Sequence, residues 1–236
     1  MGRIDDSLLE IQKITDSTER ALQVAGLLST LFKVRGIVLI VVGQLAFDTY
    51  ANAASDKPEI ELAAFSGKLA PRLVLEIMRG QVRAKGSNRR WTVAGLPIRL
   101  LDEPEIFHRE LCRDIMTEHG VVKLLPAEEI TARCILAAVY PEPDNESHTR
   151  ARLLLINGLT NAFKMDWPAL HEICHRPDYR IGEELAKMRL SAKKDVDAIG
   201  ASTDPVHETF IPEPAPAAEA PKPKRKSYDD DLSSLY

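Results

Sequence analysis

Two glutamates separated by one apolar residue, Glu59-Ile60-Glu61, are the part of this chain whose types and spacing point most directly to chemistry. On an extended strand, residues i and i+2 point to the same face, so the two carboxylates are brought together. Like charges held side by side repel, and a shared divalent cation is one reason to keep them. Upstream, Gly43 ends the unbroken apolar run Ile37-Val38-Leu39-Ile40-Val41-Val42. A glycine there lets the backbone, and the helix N-terminus behind it, approach a phosphate. A cation beside a phosphate cradle is what phosphoryl or nucleotidyl transfer needs, because the metal neutralises the triphosphate and aligns the attacking and leaving oxygens. The plainer reading of the same residues is a solvated strand face with Ile60 and Leu62 turned inward, after a turn that merely ends a strand.

The elements that must position these groups are legible around them. Asp16 followed by Glu19 has the form of a capping box, and Leu22, Ala25, Leu28, Leu31 and Phe32 recur at helical spacing until Gly36. The β-branched run that follows reads as a strand buried on both faces. Residues 44–53 have helical character, 59–65 form a second strand, and Pro71 opens a helix through Leu73, Ile77 and Met78. Residues 90–93 and 97–101 read as a hairpin joined through Ala94-Gly95-Leu96. Beyond Pro104 the pattern is mostly helical, with helices expected over 105–118, 127–139, 146–163, 168–175 and 181–196 and one further strand over 121–125. The expected fold class is therefore α/β (α+β): a mixed sheet flanked by helices, then a helical C-terminal region. Its expected parts are an α/β core over 1–125, a helical domain over 126–200 and a disordered Pro/Ala-rich charged tail over 201–236.

With those elements in place the stretch resembles the minimal nucleotidyltransferases of the polymerase-beta-like superfamily, especially those of bacterial toxin–antitoxin systems. Their signature is a strand, a Gly-Gly or Gly-Ser turn, a short helix and an acidic-apolar-acidic strand. Here Gly43-Gln44 stands at the turn, residues 45–50 at the helix and Glu59-Ile60-Glu61 at the acidic strand. Arg90-Trp91 is similar to the family's Arg/His-Trp element, and the stretch from Met165 to Leu185 to its C-terminal helices. The resemblance implies Mg²⁺ held by Glu59, Glu61 and Asp102, with Glu59 and Glu61 catalytic. It implies a nucleoside triphosphate on Gly43, Gln44 and Arg90, and an RNA or protein acceptor. Four departures run against that set. Gln44 is bulky where the family has a small residue, and Glu59 is one methylene longer than the usual Asp. Arg99 stands where a third carboxylate belongs, and Asp102 lies three residues on, facing the other way along a regular strand. The alternative expectation is a catalytically inactive scaffold or regulator of the same fold that recruits partners through its C-terminal tail.

Other groups give weaker signals. Arg79, Arg83, Lys85, Arg89 and Arg90 form a basic run that reads as a solvated loop, or as a contact to a triphosphate or RNA backbone. His171, Cys174 and His175 share a helix face but lack a second ligand pair at zinc-like spacing. The tail ends Tyr228-Asp229-Asp230-Asp231-Leu232 and Leu235-Tyr236, a candidate linear motif for a protein partner, beside Lys224-Arg225-Lys226. Composition is ordinary for a globular chain: 236 residues, 44% hydrophobic, net charge -4, which argues against nucleic-acid coating by net charge alone. Three scattered cysteines suit a reducing compartment. The N-terminus lacks a signal-peptide pattern, and no apolar run approaches a membrane span, so a cytoplasmic protein without membrane association is expected.

Overall fold

In the computed structural model, residues 2–53, 55, 58–102 and 104–200 are described. Helix α1 (Gly2–Gln12) precedes α2 (Ser17–Lys33), whose N-cap is Asp16: its carboxylate accepts from the Glu19 N–H at 2.7 Å. Strand β1 (Val38–Val42) is apolar throughout and buried from Leu39 to Val42. It runs into α3 (Gly43–Ala51) through Gly43, at φ +63°. Strand β2 (Ile60–Ser66) returns antiparallel to β1. Helix α4 (Pro71–Leu75) continues into a π-helical turn over Glu76–Gln81, where the Val82 N–H donates to the Ile77 carbonyl at 3.1 Å.

Three short strands complete one side of the sheet: β3 (Lys85–Ser87), β4 (Arg90–Val93) and β5 (Leu96–Leu101). The β4–β5 hairpin turns through Ala94 and Gly95, both at positive φ, as a two-residue type I′ turn requires. On the other side lie β6 (Arg113–Thr117) and β7 (Gly120–Leu124), followed by α5 (Ala127–Val139), α6 (Asn145–Leu159), α7 (Trp167–His175) and α8 (Gly182–Ile199). The seven strands are ordered β3-β4-β5-β2-β1-β7-β6. β2 is parallel to β5, and β1 is parallel to β7. One apolar core joins the sheet to α2, α3 and the start of α5. A second fills the space among α5 to α8, and Cys134 and Phe163 pack against both.

Three local expectations change. The helix expected over 105–118 is a 3-10 turn (Arg109–Leu111) and then β6. Residues 113–117 alternate between half-buried and exposed, the period of a strand, and they pair across a two-residue turn with Gly120 at φ +151°. A Cβ on Gly120 would lie 2.5 Å from the Gly26 carbonyl oxygen, so this glycine lets α2 rest on the hairpin. The loop expected at 85–87 is strand β3. Strand β2 begins at Ile60, so Glu59 stands just before it. The tail, with its candidate motif, lies outside the described residues.

Candidate functional site

The site is a row of residues running across the sheet. Register places Ser87 beside Arg90, Arg90 beside Arg99, Arg99 beside Glu61 and Glu61 beside Val42, with Gly43 next in the chain. Cross-strand neighbours share a face. The opposite face of the same strands is taken by Ile60, Leu62, Trp91, Val93, Ile98 and Leu100, all buried. Hydrophobic burial on one side therefore obliges Glu61, Arg99 and Arg90 to stand together on the other.

Glu61 faces the Gly43 turn. A Cβ built on Gly43 would lie 1.6 Å from Glu61 Oε2, so a side chain there would push that carboxylate out of its place, and the φ of +63° itself favours glycine. The other oxygen, Oε1, accepts from Arg99 Nη1 at 3.1 Å, with side-chain exposures of 18% for Glu61 and 44% for Arg99. The start of α3 carries no side-chain cap, and the positive end of its dipole lies next to an internal carboxylate. Glu61 thus occupies the space in front of the Gly43 turn, and Arg99 lies against it as the positive charge.

Of the other sequence-derived residues, Gln44 and Asp102 are engaged elsewhere. Gln44 turns along its own helix, donating from Nε2 to Asp48 Oδ1 at 2.6 Å. Burial pushes the Asp48 carboxyl above its ordinary range, with Gln44 and Arg150 acting in the opposite direction. Asp102 lies past the end of β5 and pairs with Arg89 at 2.5 Å; that hydrogen bond holds its carboxyl below the usual range. Glu59 is half-buried outside the strand. Arg90 is exposed and has no ion pair among the described residues. Trp91 packs inward, donating from Nε1 to the Asn88 carbonyl at 3.0 Å.

Mg²⁺ therefore finds a poor donor set. Of the three carboxylates the resemblance implies, one is held by Arg99 and another by Arg89. Among the described residues no group of three or more His, Cys, Asp or Glu side chains is placed to hold a metal ion. His171 and His175 stack at 3.8 Å between ring centroids, and the His175 ring lies 2.8 Å from the His171 carbonyl through Nδ1. Burial, and then the neighbouring His175, lower the His171 pKa. Cys174 is fully buried.

What the sequence reading missed is the register pairing of Arg90 with Arg99. The signal was present in the hairpin: a two-residue turn at 94–95 pairs Val93 with Leu96 and, by counting outward, Arg90 with Arg99. Two buried carboxylates also escaped it. Glu128 accepts from the Asp166 N–H and Glu129 from the Phe107 N–H, each at 2.6 Å, and burial raises both carboxyl pKa values. They tie α5 to the segments before α7 and β6.

No family model matches the chain, and no curated protein does. Among solved structures, an antigenic nucleotidyltransferase-like protein from Paracoccidioides brasiliensis is similar at TM-score 0.50 and 11% identity, over 80% of this chain and 95% of that one. The antibiotic-resistance factor ANT(2'')-Ia matches at TM-score 0.37 and 13% identity, over 72% of this chain and 90% of that one.

Proposed function

We propose that this chain, whose fold is nucleotidyltransferase-like, is a non-catalytic binding or regulatory protein whose metal corner has become an internal ion pair. The observation that carries this reading is the Glu61–Arg99 contact at 3.1 Å beside Gly43. At an effective dielectric of 20, a divalent cation about 4 Å from a guanidinium meets repulsion of about 8 kcal/mol. A cation would have to displace Arg99 first, and among the described residues Asp102, the other carboxylate expected on that side, is held by Arg89.

The experiment is incubation of the full chain with each labelled nucleoside triphosphate, Mg²⁺ and either RNA or protein as acceptor. The expected result is no transferred label. Label that appears with the wild type and vanishes in Glu61→Gln overturns the proposal. One observation favours the second reading, Mg²⁺-dependent transfer to an RNA or protein acceptor: Glu61 does face the Gly43 turn. That reading requires Arg99 to leave the site. On the non-catalytic reading, the tail over 201–236 recruits the partner. A chain ending at residue 201 that keeps every interaction of the full chain would remove that role.

A further inference from the structure

The outward face of β3, β4 and β5 carries a concentration of positive charge. Arg90 and Arg99 stand directly opposite each other on antiparallel strands, and like charges so placed repel. Glu61 relieves only Arg99, and Arg89 is occupied by Asp102. Lys85 projects from the same face, because its register partner Thr92 is two residues from Arg90, and it has no ion pair among the described residues. The hydroxyls of Ser87 and Thr92 are exposed among these cations. Two adjacent guanidinium forks, each able to hold two oxygens, with hydroxyl donors beside them, match a chain of phosphates. Trp91, the aromatic residue of these strands among the described residues, is turned into the core and is not placed to stack a base.

We propose that Arg90 and Arg99 form a metal-independent site for an oligophosphate chain, the class that includes the triphosphate of a nucleotide. The proposal rests on the reading that Arg99 takes the position of a cation. Arg99 then neutralises the phosphates itself, and Glu61 is the internal anion the ligand displaces. Two consequences run opposite to those of a metal site. Mg²⁺ coordinates phosphate oxygens and competes with the arginines for them, so it weakens binding. Removing the Glu61 charge frees Arg99, so it strengthens binding.

Calorimetric titration of the full chain with tripolyphosphate and with ATP, each in chelator and in excess Mg²⁺, tests this. The expected result is binding of both probes in chelator and weakening by Mg²⁺. Glu61→Gln should tighten binding, and Arg90→Ala should weaken it roughly tenfold. Lys193→Ala, an exposed change on α8, should leave it unaltered. ATP bound more tightly than tripolyphosphate would assign part of the recognition to the nucleoside and still support the site. Binding that requires Mg²⁺, that is lost in Glu61→Gln, or that is confined to ATP would overturn it. No binding under any condition, together with no label transfer, would remove this site and leave the non-catalytic reading standing. Mg²⁺-dependent binding together with transfer would remove both.

Discussion

Glu128 has one oxygen hydrogen-bonded to the Asp166 N–H at 2.6 Å and the other buried without a partner. Desolvation outweighs that hydrogen bond, so its carboxyl titrates above the ordinary value of 4.5. A raised folded-state pKa means the folded protein binds the proton more tightly than the unfolded chain does. The stability this confers is complete below the ordinary carboxyl pKa and is lost as pH rises through the higher folded value. Glu128→Gln keeps an oxygen acceptor and carries no charge. Its melting temperature relative to wild type should therefore climb as pH rises from acid toward neutral, as thermal unfolding across that range would read; a constant difference would contradict the assignment. The same residue scale explains why half of the candidate site was legible. Spacing alone placed Glu61 and Gly43, and the structure brings them into contact. The family resemblance marked Arg99 as the odd member, standing where a third carboxylate is expected. Spacing did not give the partner of Asp102, because Asp102 lies beyond the strand, where side-chain direction is set by the turn it meets.

At the scale of elements, sequence periodicity was reliable where burial is one-sided or complete. Helix α5 matches its expected bounds, and the capped start of α2 and the wholly apolar β1 form as expected. Periodicity failed at β6, an edge strand whose only sequence mark is alternation over five residues between Arg113 and Thr117. It failed again at β3, three exposed residues long, which owes its existence to pairing with β4 and not to its own composition. The junction of α2 with the β6–β7 hairpin is the most demanding of these contacts. Gly120→Ala would force a side chain into a φ of +151° and within 2.5 Å of the Gly26 carbonyl oxygen. The expected loss is about 2 kcal/mol or more, read by denaturant unfolding. A variant as stable as wild type would show that α2 is not seated as described.

For the molecule as a whole, the two apolar cores meet at shared residues. Phe163 packs against both, its ring meets Tyr50 edge-on at 5.2 Å between centroids, and the Arg113 guanidinium lies over both rings. Asn157 on α6 donates to the Tyr50 carbonyl at the end of α3, and the Tyr50 hydroxyl donates to the Leu125 carbonyl. Cooperative unfolding follows from such shared packing. Calorimetry should show one transition for residues 2–200, and two separable transitions would mean that the helices of 126–200 fold apart from the sheet. Among the described residues no helix is long and apolar enough to cross a membrane.

The most direct measurement is Mg²⁺ titration of the wild-type chain and of Arg99→Asp, followed by calorimetry. Replacing Arg99 removes the competing cation and sets a second carboxylate in register with Glu61. No saturable Mg²⁺ binding is expected at this site in the wild type, and it should appear in the variant. Saturable binding in the wild type that is abolished by Glu61→Gln would contradict that expectation.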